Sequence, residues 1–105
     1  MATYIVLNTF TDQGIRNIKD TTNRADAVRE IAKKFGITVK DIYWTLGAYD
    51  VVTIFEAPDE TTMTAFGLAI GSAGNVRSQS LRAFNREEMK GVLNTMTKVR
   101  EAVPA

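Results

Sequence analysis

Tyr49 and Asp50 are neighbours at the end of a tight Leu46-Gly47-Ala48-Tyr49-Asp50 turn. A phenol beside a carboxylate can move a proton, the tyrosine as acid or hydrogen-bond donor and the aspartate as base or anchor, because a shared pocket shifts both pKa values. Arg82 alternates with Ser78, Ser80 and Phe84, which points it to the face of the serines. A buried arginine demands a carboxylate or an anionic ligand. Together with Tyr4, Asn8 or Tyr49, Arg82 can hold the carboxylate of a small metabolite, which makes Tyr4, Asn8, Tyr49, Asp50 and Arg82 the candidate ligand-binding set. Each also has a plainer explanation. An aspartate beside a glycine-containing connection bonds backbone amides, a tyrosine there packs across strands, and Asp50 or Glu56 can neutralise Arg82 as a structural ion pair.

The chain has no cysteine and no histidine. Ser-His-Asp and Cys-His catalysis, typical zinc sites and histidine- or cysteine-ligated haem therefore drop out, and no cofactor or metal is expected. Any catalysis must run on Tyr, Asp, Glu, Lys or Arg. Thr11-Asp12-Gln13-Gly14 has one glycine and no following Lys-Ser/Thr, so it reads as a helix cap rather than a phosphate cradle. Residues 1–75 carry 7 basic and 9 acidic groups and residues 76–105 carry 6 and 3, too weak a basic bias for a nucleic-acid binder. No apolar run approaches the roughly 20 residues that span a bilayer, and the N-terminus lacks a signal peptide's basic flank, so a cytoplasmic protein without a membrane role is expected.

The elements that must position these residues fit one domain of 105 residues. Residues 3–10 are rich in β-branched and aromatic types and form a first strand. A helical turn around Ile15 and Ile18 leads to Thr21-Thr22-Asn23, which can cap a helix with Val28, Ile31, Ala32 and Phe35 at helical spacing and a stop at Gly36. Thr38 to Leu46 and Val51 to Ala57 make an antiparallel pair, the first with Ile42, Trp44 and Leu46 on one face. Pro58-Asp59-Glu60 starts a second helix with Met63, Phe66, Ile70 and Ala73 on its core face; Gly67 and Gly71 leave a bare patch that something must approach closely. Val76 to Phe84 is the fourth strand. Asn85-Arg86-Glu87-Glu88 opens a last helix with an apolar stripe of Met89, Val92, Leu93, Met96 and Val99, docked on the sheet edge or on a partner subunit.

This order predicts an α+β, ferredoxin-like βαββαβ fold with an added C-terminal helix. Both core helices then cover one face of a four-stranded antiparallel sheet. The strands alternate apolar residues onto both faces, so the open face is expected to be buried by self-association.

Three stretches carry a family resemblance: YIVLNTFTDQG at the start, Gly47-Ala48-Tyr49-Asp50 followed by Val51-Val52 and Glu56-Ala57-Pro58-Asp59, and GNVRSQSLRAF near residue 80. Over roughly residues 3–88 the chain resembles the GYD-domain family, small bacterial and archaeal proteins related to the dimeric α+β barrels. The resemblance implies a dimer in which two sheets pack face to face, sometimes assembling further, and it brings no established activity. The reading is a homodimer or higher homo-oligomer binding or sensing a small organic metabolite at the inter-subunit sheet face. A metal-free isomerase or oxygenase using Tyr49, Asp50 and Arg82 is the alternative in the enzyme class; it requires those three to converge. A structural or assembly module without a ligand is the third reading.

Overall fold

In the computed structural model, which describes residues 1–104, the first strand β1 (Ala2–Phe10) ends where Thr11 caps the short helix α1 (Asp12–Arg16). The Thr11 hydroxyl accepts from the Gly14 N–H at 3.1 Å, the capping role expected of this loop. A 3₁₀ turn over Ile18–Asp20 leads into α2 (Thr21–Lys34). Helix α2 ends in a double closure: the Ile37 N–H reaches the Ala32 carbonyl at 3.0 Å and the Gly36 N–H reaches that of Lys33 at 3.3 Å. That geometry needs a left-handed residue, and Gly36 supplies it with φ of 72°.

Strands β2 (Thr38–Trp44) and β3 (Val51–Ala57) follow, then α3 (Glu60–Ser72), β4 (Val76–Ala83) and α4 (Arg86–Ala102). Asp59 caps α3, its carboxylate accepting from the Thr62 N–H at 2.7 Å. Asn85 and Glu88 form the reciprocal capping box of α4, with bonds of 2.8 and 3.0 Å. Strand β2 stops two residues before the expected Leu46, which lies in the loop fully exposed.

The four strands run antiparallel in the order β2-β3-β1-β4, the ferredoxin-like arrangement with the added C-terminal helix. A bulge at Lys40 sets which residues of β2 face the helices. Val39 pairs with Phe55 and Asp41 with Ile54, so the parity inverts across Lys40 and Val39, Ile42 and Trp44 share one face. That face also carries Tyr4, Val6 and Asn8 of β1, Thr53 and Phe55 of β3, and Ser78, Ser80 and Arg82 of β4. The core sits on it: Tyr4, Val6, Phe55 and Ala57 meet Ala32, Ile37, Met63 and Phe66. Phe55 and Phe66 pack edge to face with centroids 5.7 Å apart.

The opposite face holds Ile5, Leu7, Val52, Ile54, Tyr43 and Leu81, rimmed by Arg77, Gln79 and Glu56. Among the described residues no element covers it, as the topology demands. Two expectations change at the helices. Gly67 and Gly71 face open space, with nothing within 4 Å of where a Cβ would stand, so the close approach expected there does not occur within the protomer. Helix α4 does not dock on its own sheet edge. None of its residues is buried, and it extends the molecule to 56 Å, with a radius of gyration of 16.7 Å. About 13 Å is usual for a chain of this length.

Candidate functional site

Asp50 is a backbone clamp. Its carboxylate accepts from the Phe10 N–H at 2.8 Å, its own N–H donates to the Asn8 carbonyl at 2.8 Å, and its carbonyl accepts from the Thr45 N–H at 2.9 Å. The turn thereby fastens the β2–β3 connection to the end of β1. Tyr49 reaches the other way, its hydroxyl donating to Gln79 Oε1 at 3.1 Å. Gln79 pairs with Leu7 and lies on the open sheet face.

Arg82 lies on the helix-covered face opposite Tyr4. Its guanidinium sits 4.5 Å from the Phe84 ring centroid and 5.9 Å from that of Tyr4. Its carboxylate partner is Glu88 at 3.2 Å, not the expected Asp50 or Glu56; Glu56 pairs with Lys40 at 3.1 Å. The reason is the helix that follows: one turn into α4, Glu88 comes back over the end of β4, while Asp50 is spent on backbone amides. The Glu88 carboxyl is held below its ordinary value of 4.5 by the Asn85 N–H first and by Arg82 second.

The five candidate residues thus divide. Tyr4, Asn8 and Arg82 share the helix-side face, Tyr49 serves the open face, and Asp50 serves the backbone between them. Tyr49, Asp50 and Arg82 do not converge, which leaves proton-transfer chemistry on these residues without a geometric basis in the protomer. Among the described residues no group of three or more carboxylates is placed to hold a metal ion.

Two other features stand out, one of which includes the candidate Asn8. The first is a cleft of about 700 Å³ on the helix side of the sheet, walled by α2 residues such as Val28 and Ile31 and α3 residues such as Phe66 and Ile70. Asn8, Thr53, Ser78 and Ser80 form the polar part of its floor. Only their shared strand parity signalled it in the sequence, and the registers that bring β1, β3 and β4 side by side are set by long-range pairing. The second is α4 itself. Met89, Val92, Leu93, Met96 and Val99 are each 40–56% exposed along one stripe, an apolar surface without a partner in the protomer.

A clamp turn containing Gly47-Ala48-Tyr49-Asp50, on a sheet of this topology, is the geometry behind the sequence signature, and the GYD domain profile matches residues 4–93. The chain belongs to the GYD domain family. It is also similar to a Thermus thermophilus protein named "Glutamine synthetase and cystathionine beta-lyase binding protein", 37% identical over 84 residues, which is 79% of this chain and 88% of that relative. No solved structure matches the chain. Among the described residues of this GYD-domain protein, no helix is long and apolar enough to cross a membrane.

Proposed function

We propose that this GYD-domain protein is a non-catalytic binding module that attaches to other proteins through α4. The observation that carries the proposal is the exposed stripe of Met89, Val92, Leu93, Met96 and Val99 on a helix with no buried residue. Such a stripe is the donor half of helix-in-groove recognition, in which residues spaced three and four apart anchor in a partner's apolar groove. Methionine suits it, because its flexible thioether adapts to an irregular surface. The name of the relative supports the same class of role and supplies the partners to try first. The test is biosensor binding of the full chain to purified glutamine synthetase and cystathionine β-lyase from the same cell. Saturable binding lost in Leu93→Glu and Met96→Glu supports the proposal. Equal binding by wild type and both variants overturns the role of α4, and no binding to either enzyme removes these partners.

The open sheet face favours a second reading, self-association. Its centre is apolar, with Ile5, Leu7, Val52, Ile54 and Leu81, and its rim polar, with Arg77, Gln79 and the Tyr49 hydroxyl. That is the anatomy of an isologous interface. Two copies packed sheet to sheet would form a dimeric barrel, and a small organic metabolite held between the sheets is the finer version of this reading. Sedimentation at micromolar concentration tests the assembly: a dimer converted to monomer by Ile54→Asp supports it, and a wild-type monomer ends it. Native mass spectrometry then reads any bound metabolite as added mass.

A further inference from the structure

Helices α2 and α3 do not close over the sheet. The cleft between them has a volume of about 700 Å³, within the range of small-molecule sites, and its lining is overwhelmingly apolar. Arg24 is the one charged residue among the described residues that line it, and its guanidinium already donates to the Asn17 carbonyl at 2.7 Å and the Gly14 carbonyl at 3.5 Å. Among the described residues no carboxylate lines it. A cation would lose its hydration without gaining a counter-ion and an anion would meet only an Arg24 guanidinium already turned to backbone carbonyls, whereas a neutral occupant would not meet that cost.

The floor adds a specific feature. Asn8 and Thr53 are 9% and 5% exposed, on adjacent strands of the helix-side face. The Asn8 Oδ1 accepts from Ser78 Oγ at 2.6 Å. Asn8 and Thr53 both line the cleft, and neither is left with a fully buried unpaired group, so the Asn8 amide and the Thr53 hydroxyl open onto the cleft. A donor amide and a hydroxyl that open onto the cleft beneath apolar walls are placed for a ligand's carbonyl or hydroxyl.

We propose that this cleft binds an uncharged organic molecule with an apolar body and one hydrogen-bonding head, the head seated on Asn8 and Thr53. The site is separate from the α4 and open-face surfaces, since no α4 residue lines it.

The test is titration of the full chain with 6-propionyl-2-(dimethylamino)naphthalene, an uncharged fluorophore whose ketone accepts hydrogen bonds. Gly67→Leu fills the cleft from α3 at a position with free space around it, so the fold survives the change. Saturable, blue-shifted emission in the wild type, weakened at least tenfold by Gly67→Leu, is the expected result. Asn8→Leu is expected to weaken the ketone probe about fivefold, the loss of one neutral hydrogen bond, and to leave binding of unsubstituted naphthalene unchanged. Decanol should displace the probe at least tenfold more effectively than decanoate at pH 7. Absence of saturable binding, a Gly67→Leu variant that binds like wild type, or equal displacement by decanol and decanoate each overturns the proposal. A Gly67→Leu change in sedimentation without probe binding overturns it in favour of a second copy filling the cleft.

Discussion

Gly14 is the most closely surrounded of the glycines, and Gly14→Ala measures how firmly two turns are joined. A Cβ at Gly14 would stand 2.0 Å from the Asn75 carbonyl oxygen, where ordinary contact begins at 3.4 Å, so the two backbones must separate by about 1.4 Å. They are held together by the Thr11 N–H to the Asn75 carbonyl at 3.1 Å and the Thr11 hydroxyl to the Gly74 carbonyl. Gln13 adds bonds to the Ala73 carbonyl at 3.0 Å and to Asn75 Oδ1 at 3.2 Å. Overpacking a tight site costs about 1–3 kcal/mol, and a shift of this size breaks at least the Thr11–Asn75 bond, for about 1 kcal/mol more. The expected loss is about 2–4 kcal/mol, read as a lower urea midpoint at unchanged slope, with a melting temperature about 10–25 °C lower. A loss under about 0.5 kcal/mol would refute the reasoning, because it would require the α3–β4 turn to move freely despite these bonds.

Asp50→Ala leaves the Phe10 N–H without its carboxylate and is expected to cost about 1.5–3 kcal/mol in urea unfolding, whereas Tyr49→Phe, which removes an exposed bond to Gln79, should cost under about 1 kcal/mol; the opposite ranking would mean that the clamp is misassigned. The Tyr4 hydroxyl is buried without a partner among the described residues, so Tyr4→Phe should be neutral or stabilising by up to about 1 kcal/mol, and a clear destabilisation would mean that the hydroxyl is bonded. Glu88 has a folded pKa below its ordinary 4.5, so its contribution to α4 is complete above that value and is lost as pH falls below it. Helicity by circular dichroism should drop more steeply below pH 4.5 in wild type than in Glu88→Gln; identical profiles would show that the capping box carries no pH dependence.

The elements were legible in the sequence because their signals are local. Thr11, Asp59 and Asn85 cap the helices that follow them, and Gly36 closes α2. β-branched and aromatic residues mark β1, β2 and β3, and the strand–helix order leaves one open sheet face. The Asp50 clamp was legible as turn chemistry. Arg82 was legible as a residue needing a carboxylate, but not as the partner of Glu88, because the nearest acid in space came from the turn of helix after its own strand while Asp50 was engaged by Phe10.

By itself, then, the sequence determined the ferredoxin-like order, the caps of α1, α3 and α4 and the apolar stripe of α4, whereas α2 starts at Thr21, inside the Thr21-Thr22-Asn23 cluster expected to cap it, with Asp20 before it making no side-chain cap bond. Only the tertiary structure decided that Tyr49 and Arg82 serve opposite faces, that the parity of β2 inverts at Lys40, that α2 and α3 leave a cleft over Asn8 and Thr53, and that α4 stands clear of its own sheet. These depend on strand register and helix placement, which are fixed by contacts between residues far apart in the chain and balanced over the whole core.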